Sequence, residues 1–131
     1  MKLLIFLCLS AVLFLSQTAY ASEPAFERIM KDLTIRCGYI VWSPYLEQNP
    51  NSKAFSGPSY DLMEKIGKEL NIKVEWVEEA SWGTFQEGLN TNRYDVMCTP
   101  VWESGDRAAS ALLTRAVFFN PMFAYIRAED K

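Results

Sequence analysis

The sequence predicts an α/β domain with a mostly parallel sheet flanked by helices, and three observations point to it. Apolar, β-branched stretches alternate with amphipathic ones in the order strand, helix, strand, helix, strand, helix, strand. The third strand-like stretch, Tyr94 to Cys98, is short and largely apolar, as a strand covered on both faces is. The stretch from Ser59 to Leu70 repeats its apolar residues at helical spacing, which suits a crossover between parallel strands.

The chain opens with a segment that stands outside this domain. Lys2 gives a positive start, Leu3 to Leu15 is almost wholly apolar, and Ala19-Tyr20-Ala21 is an A-x-A cleavage pattern. The apolar run is shorter than the roughly 18 to 20 residues that span a bilayer. Met1 to Ala21 therefore reads as a secretory signal cut after Ala21, with Ser22 as the new N-terminus. Cys8 leaves with it. A single domain of about 110 residues remains, enough for one small core.

The mature elements follow in order. Ala25 to Asp32 fits one or two helical turns, with Phe26, Ile29 and Met30 on one side. Leu33 to Val41 is the first strand, rich in β-branched residues. Trp42 to Gly57 reads as a loop, because it gathers Pro44, Asn49, Pro50, Asn51 and Ser52. Ser59 is placed to cap a helix that runs to about Leu70. Leu62, Met63, Ile66 and Leu70 form its apolar face, and Lys65, Lys68 and Glu69 its outer side. Asn71 can stop it in a left-handed conformation.

Ile72 to Glu78 is the second strand. A helix over about Gly83 to Asn90 follows, with Thr84 and Glu87 spaced as a capping box. Tyr94 to Cys98 is the third strand and Asp106 to Leu112 the next helix. Pro121 precedes a last strand, Met122 to Arg127.

Composition removes whole classes of chemistry. The chain has no histidine. That excludes Ser-His-Asp and Cys-His nucleophilic systems and helix-borne zinc motifs that need histidine. Only Cys37 and Cys98 survive signal removal, too few for a cysteine-rich metal site, and they form no Cys-x-x-Cys motif. No glycine-rich phosphate loop occurs. Glu78 and Glu79 are adjacent on a strand and point to opposite faces, which makes them a poor acid–base pair. The net charge is −3, with no basic patch for a nucleic acid. No catalytic residue, metal or cofactor is expected. An exported α/β domain of this kind suits small-molecule binding at the C-terminal ends of its parallel strands.

An ordered set of motifs gives this reading a family. Leu33-Thr34-Ile35-Arg36-Cys37-Gly38 is similar to an opening "L-x-V-G" strand. Trp42-Ser43-Pro44-Tyr45 resembles a Tyr/Phe-Pro-Pro-Phe loop, and Gly57-Pro58-Ser59-Tyr60-Asp61-Leu62 matches "G-F-D-V-D-L" at its Gly, its second Asp and its Leu. Trp82, Phe85 and Leu89 resemble "W-x-x-L-x-x-x-L". Asn92-Arg93-Tyr94-Asp95-Val96 resembles "G-K-x-D-V", Asp106-Arg107 matches "E-R", and Phe119-Asn120-Pro121-Met122-Phe123 is similar to "F-S-x-P-Y". Together they resemble family 3 of the bacterial extracellular solute-binding proteins, from about Leu33 to Lys131.

The resemblance implies a periplasmic, non-catalytic receptor of an ABC-type uptake system, binding amino acids or similar small polar solutes. It implies two α/β lobes that close on a ligand. Residues 22–131 would be the first lobe, incomplete and ending where the family crosses its hinge. Membrane subunits of the transporter would be its partners. A sensory lobe of a membrane receptor, a lobe preceding a peptidoglycan-cleaving domain and a non-functional fragment are the competing readings.

The resemblance also places the site. Tyr45 and Arg107 fall where the family stacks an aromatic on the ligand and grips its carboxylate. Arginine suits that task through its planar, bidentate fork. The loop Thr99 to Trp102 falls where backbone and hydroxyl contacts arise, with Thr99 as the hydroxyl candidate and Trp102 at the pocket mouth. Pro100 and Trp102 stand where the family often has small hydroxyl residues, so the ligand could differ from an ordinary α-amino acid. Trp42 joins Tyr45 as an aromatic wall. Asp61 and Asp95 read as structural. Cys37 and Cys98 lie on the first and third strands, neighbours in the family's topology, so a disulfide and two buried free thiols both stand open.

Overall fold

The structure is a computed structural model that describes residues 24–121 and 123–130. The signal segment Met1 to Ala21, its Cys8 and its cleavage site lie outside the described residues.

Helix α1 covers Ala25–Asp32, and its last turn gives way at Leu33, which is left-handed. Strand β1, Thr34–Tyr39, follows directly. It is the centre of a three-stranded sheet. Strand β4, Lys73–Glu79, pairs with it on one side and β5, Val96–Met97, on the other, both parallel. Cys37 sits opposite Trp76 on β4 and Val96 on β5.

The crossovers cover both faces. Helix α2, Pro58–Leu70, packs against β4. Cys37, Met63 and Cys98 form the core beneath it, flanked by Ile35, Ile66, Val74, Trp76 and Val96. Gly38 faces the other way, as alternation along a strand requires. The Tyr94 ring fills the space beside it, and the Tyr94 hydroxyl donates to the Phe85 carbonyl at 2.6 Å. Phe85 begins α3, Phe85–Asn90, so this helix covers the second face. Helix α4, Gly105–Ser110, docks on α3.

Two constraints hold β5, which is only two residues long. Cys37 and Cys98 are joined by a disulfide, with Cα atoms 5.5 Å apart. Asp95 accepts the backbone N–H of Arg36 at 2.8 Å and its guanidinium Nη2 at 2.8 Å, and it also pairs with Arg28 of α1. The side chain therefore ties helix, central strand and edge strand together.

Several elements differ from the sequence reading. The loop Trp42 to Gly57 contains a small antiparallel ribbon, β2 (Glu47–Gln48) with β3 (Phe55–Ser56). Asn49 turns the chain between them by accepting the N–H groups of Asn51 and Ser52. Helix α2 starts one residue before Ser59. Pro58 takes the first helical position, where its missing N–H costs nothing, and Gly57 supplies the φ of 109° before it. Ser59 is inside the helix and buried. The buried stripe is Ser59, Met63 and Gly67, and Leu70 is exposed, so small residues let the helix lie close to the sheet.

The Thr84–Glu87 capping box does not form. The Thr84 hydroxyl instead pairs with that of Ser81 at 2.9 Å. The last strand is also absent. Residues 123–127 are exposed and pair with no described strand, and a strand exists only where a neighbour takes its backbone hydrogen bonds. Met122 lies outside the described residues.

Candidate functional site

The chain runs from β1 to β4 on one side of the sheet, then crosses back past β1 to β5 on the other. Such a reversal is a switch point, and open α/β sheets take ligands beyond the C-terminal ends of the strands there, here β1 and β5. Each of the three strands is followed there by a tryptophan: Trp42 after β1, Trp82 after β4 and Trp102 after β5.

Local geometry brings the three together. Trp42 and Leu46 exchange backbone hydrogen bonds at 2.8 and 2.9 Å, closing a tight loop that buried Leu46 anchors. The Trp42 and Tyr45 rings stand 4.8 Å apart within it. The Ser81 carbonyl accepts from the N–H groups of Thr84 and Phe85, each at 3.1 Å, and this turn presents Trp82. Trp42 meets Trp82 edge-on at 5.3 Å and Trp102 at 6.2 Å, while Trp82 and Trp102 stack at 5.4 Å. Tyr45 also meets Phe118 at 5.5 Å. Trp102 remains 59% exposed, so this rim has a face open to solvent.

Arg107 completes the rim. Its Cζ lies 4.6 Å from the centre of the Trp102 ring and 5.4 Å from that of Phe85. Its Nη1 donates to the Trp102 carbonyl at 2.6 Å. Four of the sequence-selected residues, Trp42, Tyr45, Trp102 and Arg107, thus share one cluster.

Thr99 stands behind it. The side chain is fully buried, and its hydroxyl donates to the Ile40 carbonyl and accepts the Ile40 N–H, both at 2.8 Å. The hydroxyl contact to a ligand expected from sequence gives way to a bracket that fixes the loop after β5 onto the end of β1. The sequence reading quoted Trp82 and Phe85 only as motif positions and left Phe118 out. The signal that points to Trp82 is structural: it lies as far past the end of β4 as Trp42 lies past the end of β1. Phe118 comes from a segment without regular structure and carries no such signal.

The remaining buried ionisable groups serve the scaffold. Burial pushes the Asp95 carboxyl up, but hydrogen bonds from the Arg36 side chain and backbone and from Arg28 win and hold it below the usual carboxylate range. Burial raises the Tyr94 phenol, and the charge of Glu78 adds to the effect. Glu78 itself pairs with Arg93 at 2.8 Å. Among the described residues no group of acidic, cysteine or histidine side chains could hold a metal ion, and no helix is long and apolar enough to cross a membrane.

A parallel sheet with an aromatic rim and a guanidinium at its C-terminal edge has the layout with which α/β domains take small molecules. More narrowly, the chain belongs to the bacterial extracellular solute-binding proteins, family 3, whose pattern matches residues 35–131. A probable amino-acid ABC transporter-binding protein of Haemophilus influenzae is 28% identical over 100 residues, covering 76% of this chain and 38% of that protein. The fold matches a polar amino acid ABC uptake transporter substrate-binding protein of Streptococcus thermophilus with a TM-score of 0.66 at 20% identity, over 76% of this chain and 38% of that one. It also matches an ancestral cyclohexadienyl dehydratase, at TM-score 0.59 and 23% identity, over 69% of this chain and 37% of that one. The chain therefore spans less than two-fifths of each of these relatives.

Proposed function

We propose that this chain supplies one lobe of a receptor for amino acids or similar small polar solutes in an ABC-type uptake system. Residues 22–131 form the lobe, and Met1 to Ala21 directs export to the periplasm and is cut after Ala21. The observation that carries the reading is the convergence of Trp42, Trp82 and Trp102 with Arg107 at the switch point of the sheet. The aromatic rings with Tyr45 line the body of the solute, and Arg107 takes its carboxylate. Membrane subunits of the transporter accept the loaded receptor.

The site acts by binding and not by catalysis. Its support is that the buried acid and phenol, Asp95 and Tyr94, are engaged in holding the fold, and that the chain has no histidine for acid–base work.

Nuclear magnetic resonance titration of the purified chain with a panel of L-amino acids tests this, because it reads weak binding as well as tight. The expected result is saturable movement of the Trp42, Trp82 and Trp102 indole N–H signals by at least one polar amino acid, lost in Arg107→Ala. No movement for any member of the panel, or movement confined to the opposite end of the sheet, would sink the proposal.

A further inference from the structure

Arg107 is held in a frame that a solvated arginine lacks. Ser104 caps α4 by accepting the Arg107 N–H at 3.4 Å. Gln86 of α3 donates to the Asp106 carbonyl at 3.3 Å and to the Ser110 hydroxyl, which pins α4 against α3. The guanidinium is thereby placed beside both the Phe85 ring and the Trp102 ring. A π face attracts a guanidinium without using up its N–H groups. The fork carries five N–H donors in one plane, and the Trp102 carbonyl accepts from one of its nitrogens, Nη1. Among the described residues no carboxylate pairs with Arg107. The single hydrogen bond to the Trp102 carbonyl leaves most of the Arg107 N–H groups for a ligand carboxylate.

We propose that Trp102 is the positioning residue for Arg107, its ring and its carbonyl together aiming the guanidinium as a preformed carboxylate receptor. This rests on the reading of the aromatic rim as a solute site. The physical reason for a tryptophan here is entropy. A long arginine side chain loses much rotamer freedom when a ligand must order it, and a frame that orders it beforehand removes that cost from binding. A small hydroxyl residue at position 102 would keep the carbonyl and lose the ring. Trp102 also stacks on Trp82, so it links the carboxylate receptor to the wall that meets the rest of the solute.

The test uses the whole chain and a probe that needs no knowledge of the natural solute. Acetate is titrated while the Arg107 Nε–H signal is followed, with acetamide as the uncharged control. Acetate is expected to move the signal saturably and acetamide to leave it in place. In Trp102→Ala the acetate affinity falls about fivefold to tenfold, the scale of one long side chain that the ligand must then order itself. Trp102→Phe, which keeps an aromatic face, recovers most of it. Trp102 is largely exposed, so neither variant threatens folding. Equal acetate affinity in Trp102→Ala and the parent, or an Arg107 signal that acetate does not move, would overturn the proposal. Failure of the two readings is distinguishable. Amino acids that bind equally well to parent and Trp102→Ala remove the positioning role and keep the solute site. Acetate that moves Arg107 when no amino acid binds does the reverse.

Discussion

The Asp95 carboxylate grips Arg36 three times: Oδ2 accepts its backbone N–H at 2.8 Å and its Nε at 3.3 Å, and Oδ1 accepts its Nη2 at 2.8 Å. One side chain thereby satisfies a donor of the central strand and neutralises its charge, while also reaching Arg28 on α1. Removing the carboxylate leaves a partly buried guanidinium and a strand N–H without their partner. Asp95→Ala should cost about 3 kcal/mol of stability, read as a lower urea midpoint.

The same contact sets an acid dependence. The folded protein holds Asp95 below its ordinary pKa of 3.8. The unfolded chain therefore takes up this proton at a higher pH than the folded one. The stabilisation is complete above the ordinary carboxylate range and is lost as pH falls through the folded pKa. Urea midpoints measured from neutral pH down into that acid range should fall more steeply for the parent than for Asp95→Asn. Parallel curves would show that Asp95 does not carry the acid sensitivity.

The disulfide yields a third prediction. It closes a sequence separation of 61 residues within the core under α2. Chain-entropy reasoning gives about 4 kcal/mol for a loop of that size, a shift of about 15 °C or more in Tm for a domain this small. Calorimetric melting of Cys37→Ala/Cys98→Ala beside the parent checks it. A shift of a degree or two would mean that the Asp95 and Thr99 contacts already hold β5.

What the sequence could show follows from the range of the forces involved. The parallel alternation and the start of α1 were legible because periodicity and β-branching are local. The stop at Asn71 was legible for the same reason, since a left-handed cap is a property of one residue. The start of α2 at Pro58 and the unformed Thr84–Glu87 box were not, because caps compete with alternatives that only the folded loop offers. The β2–β3 ribbon escaped notice because each strand is too short to show a period. In the site, Trp42, Tyr45 and Arg107 stood out by motif. The burial of Thr99 depends on Ile40, far away in sequence, and no local pattern reveals it.

Tyr94 tests the packing behind the site. Its ring lies between Gly38 and Gly88, where an added Cβ would come within 2.5 and 2.3 Å of ring carbons. Gly88→Ala should therefore cost about 2 kcal/mol or more through overpacking. Tyr94→Phe should cost about 1 kcal/mol by removing the buried hydrogen bond from the hydroxyl to the Phe85 carbonyl. The raised phenol pKa adds a sign. Its stabilising effect is present below the ordinary tyrosine value of 10.0 and is lost as pH rises through the folded pKa. Urea denaturation of each variant reads these costs, and alkaline denaturation of Tyr94→Phe reads the last.

The tryptophans divide into two populations, and that division gives the final prediction. Trp76 packs against Tyr39, Phe55 and Tyr60 under the β2–β3 ribbon, with centroids 6.0, 5.0 and 5.6 Å away. It belongs to the core surroundings of Cys37 and Met63. Among the described residues the ring contacts of Trp82 are with the rim residues Trp42 and Trp102, and it is 37% exposed. Trp76→Ala should thus cost about 3 to 5 kcal/mol in stability, as large core truncations do. Trp82→Ala should cost clearly less than Trp76→Ala, because its ring stands at the rim, partly exposed, and packs on other rim rings rather than on the core. It should weaken the amino acid that moves the rim signals by roughly fivefold to tenfold, the scale of one aromatic contact. Melting curves and titrations on the two variants separate the effects. A destabilised Trp82→Ala with unchanged affinity would make the rim a piece of scaffold, and the solute site would have to lie elsewhere on the lobe.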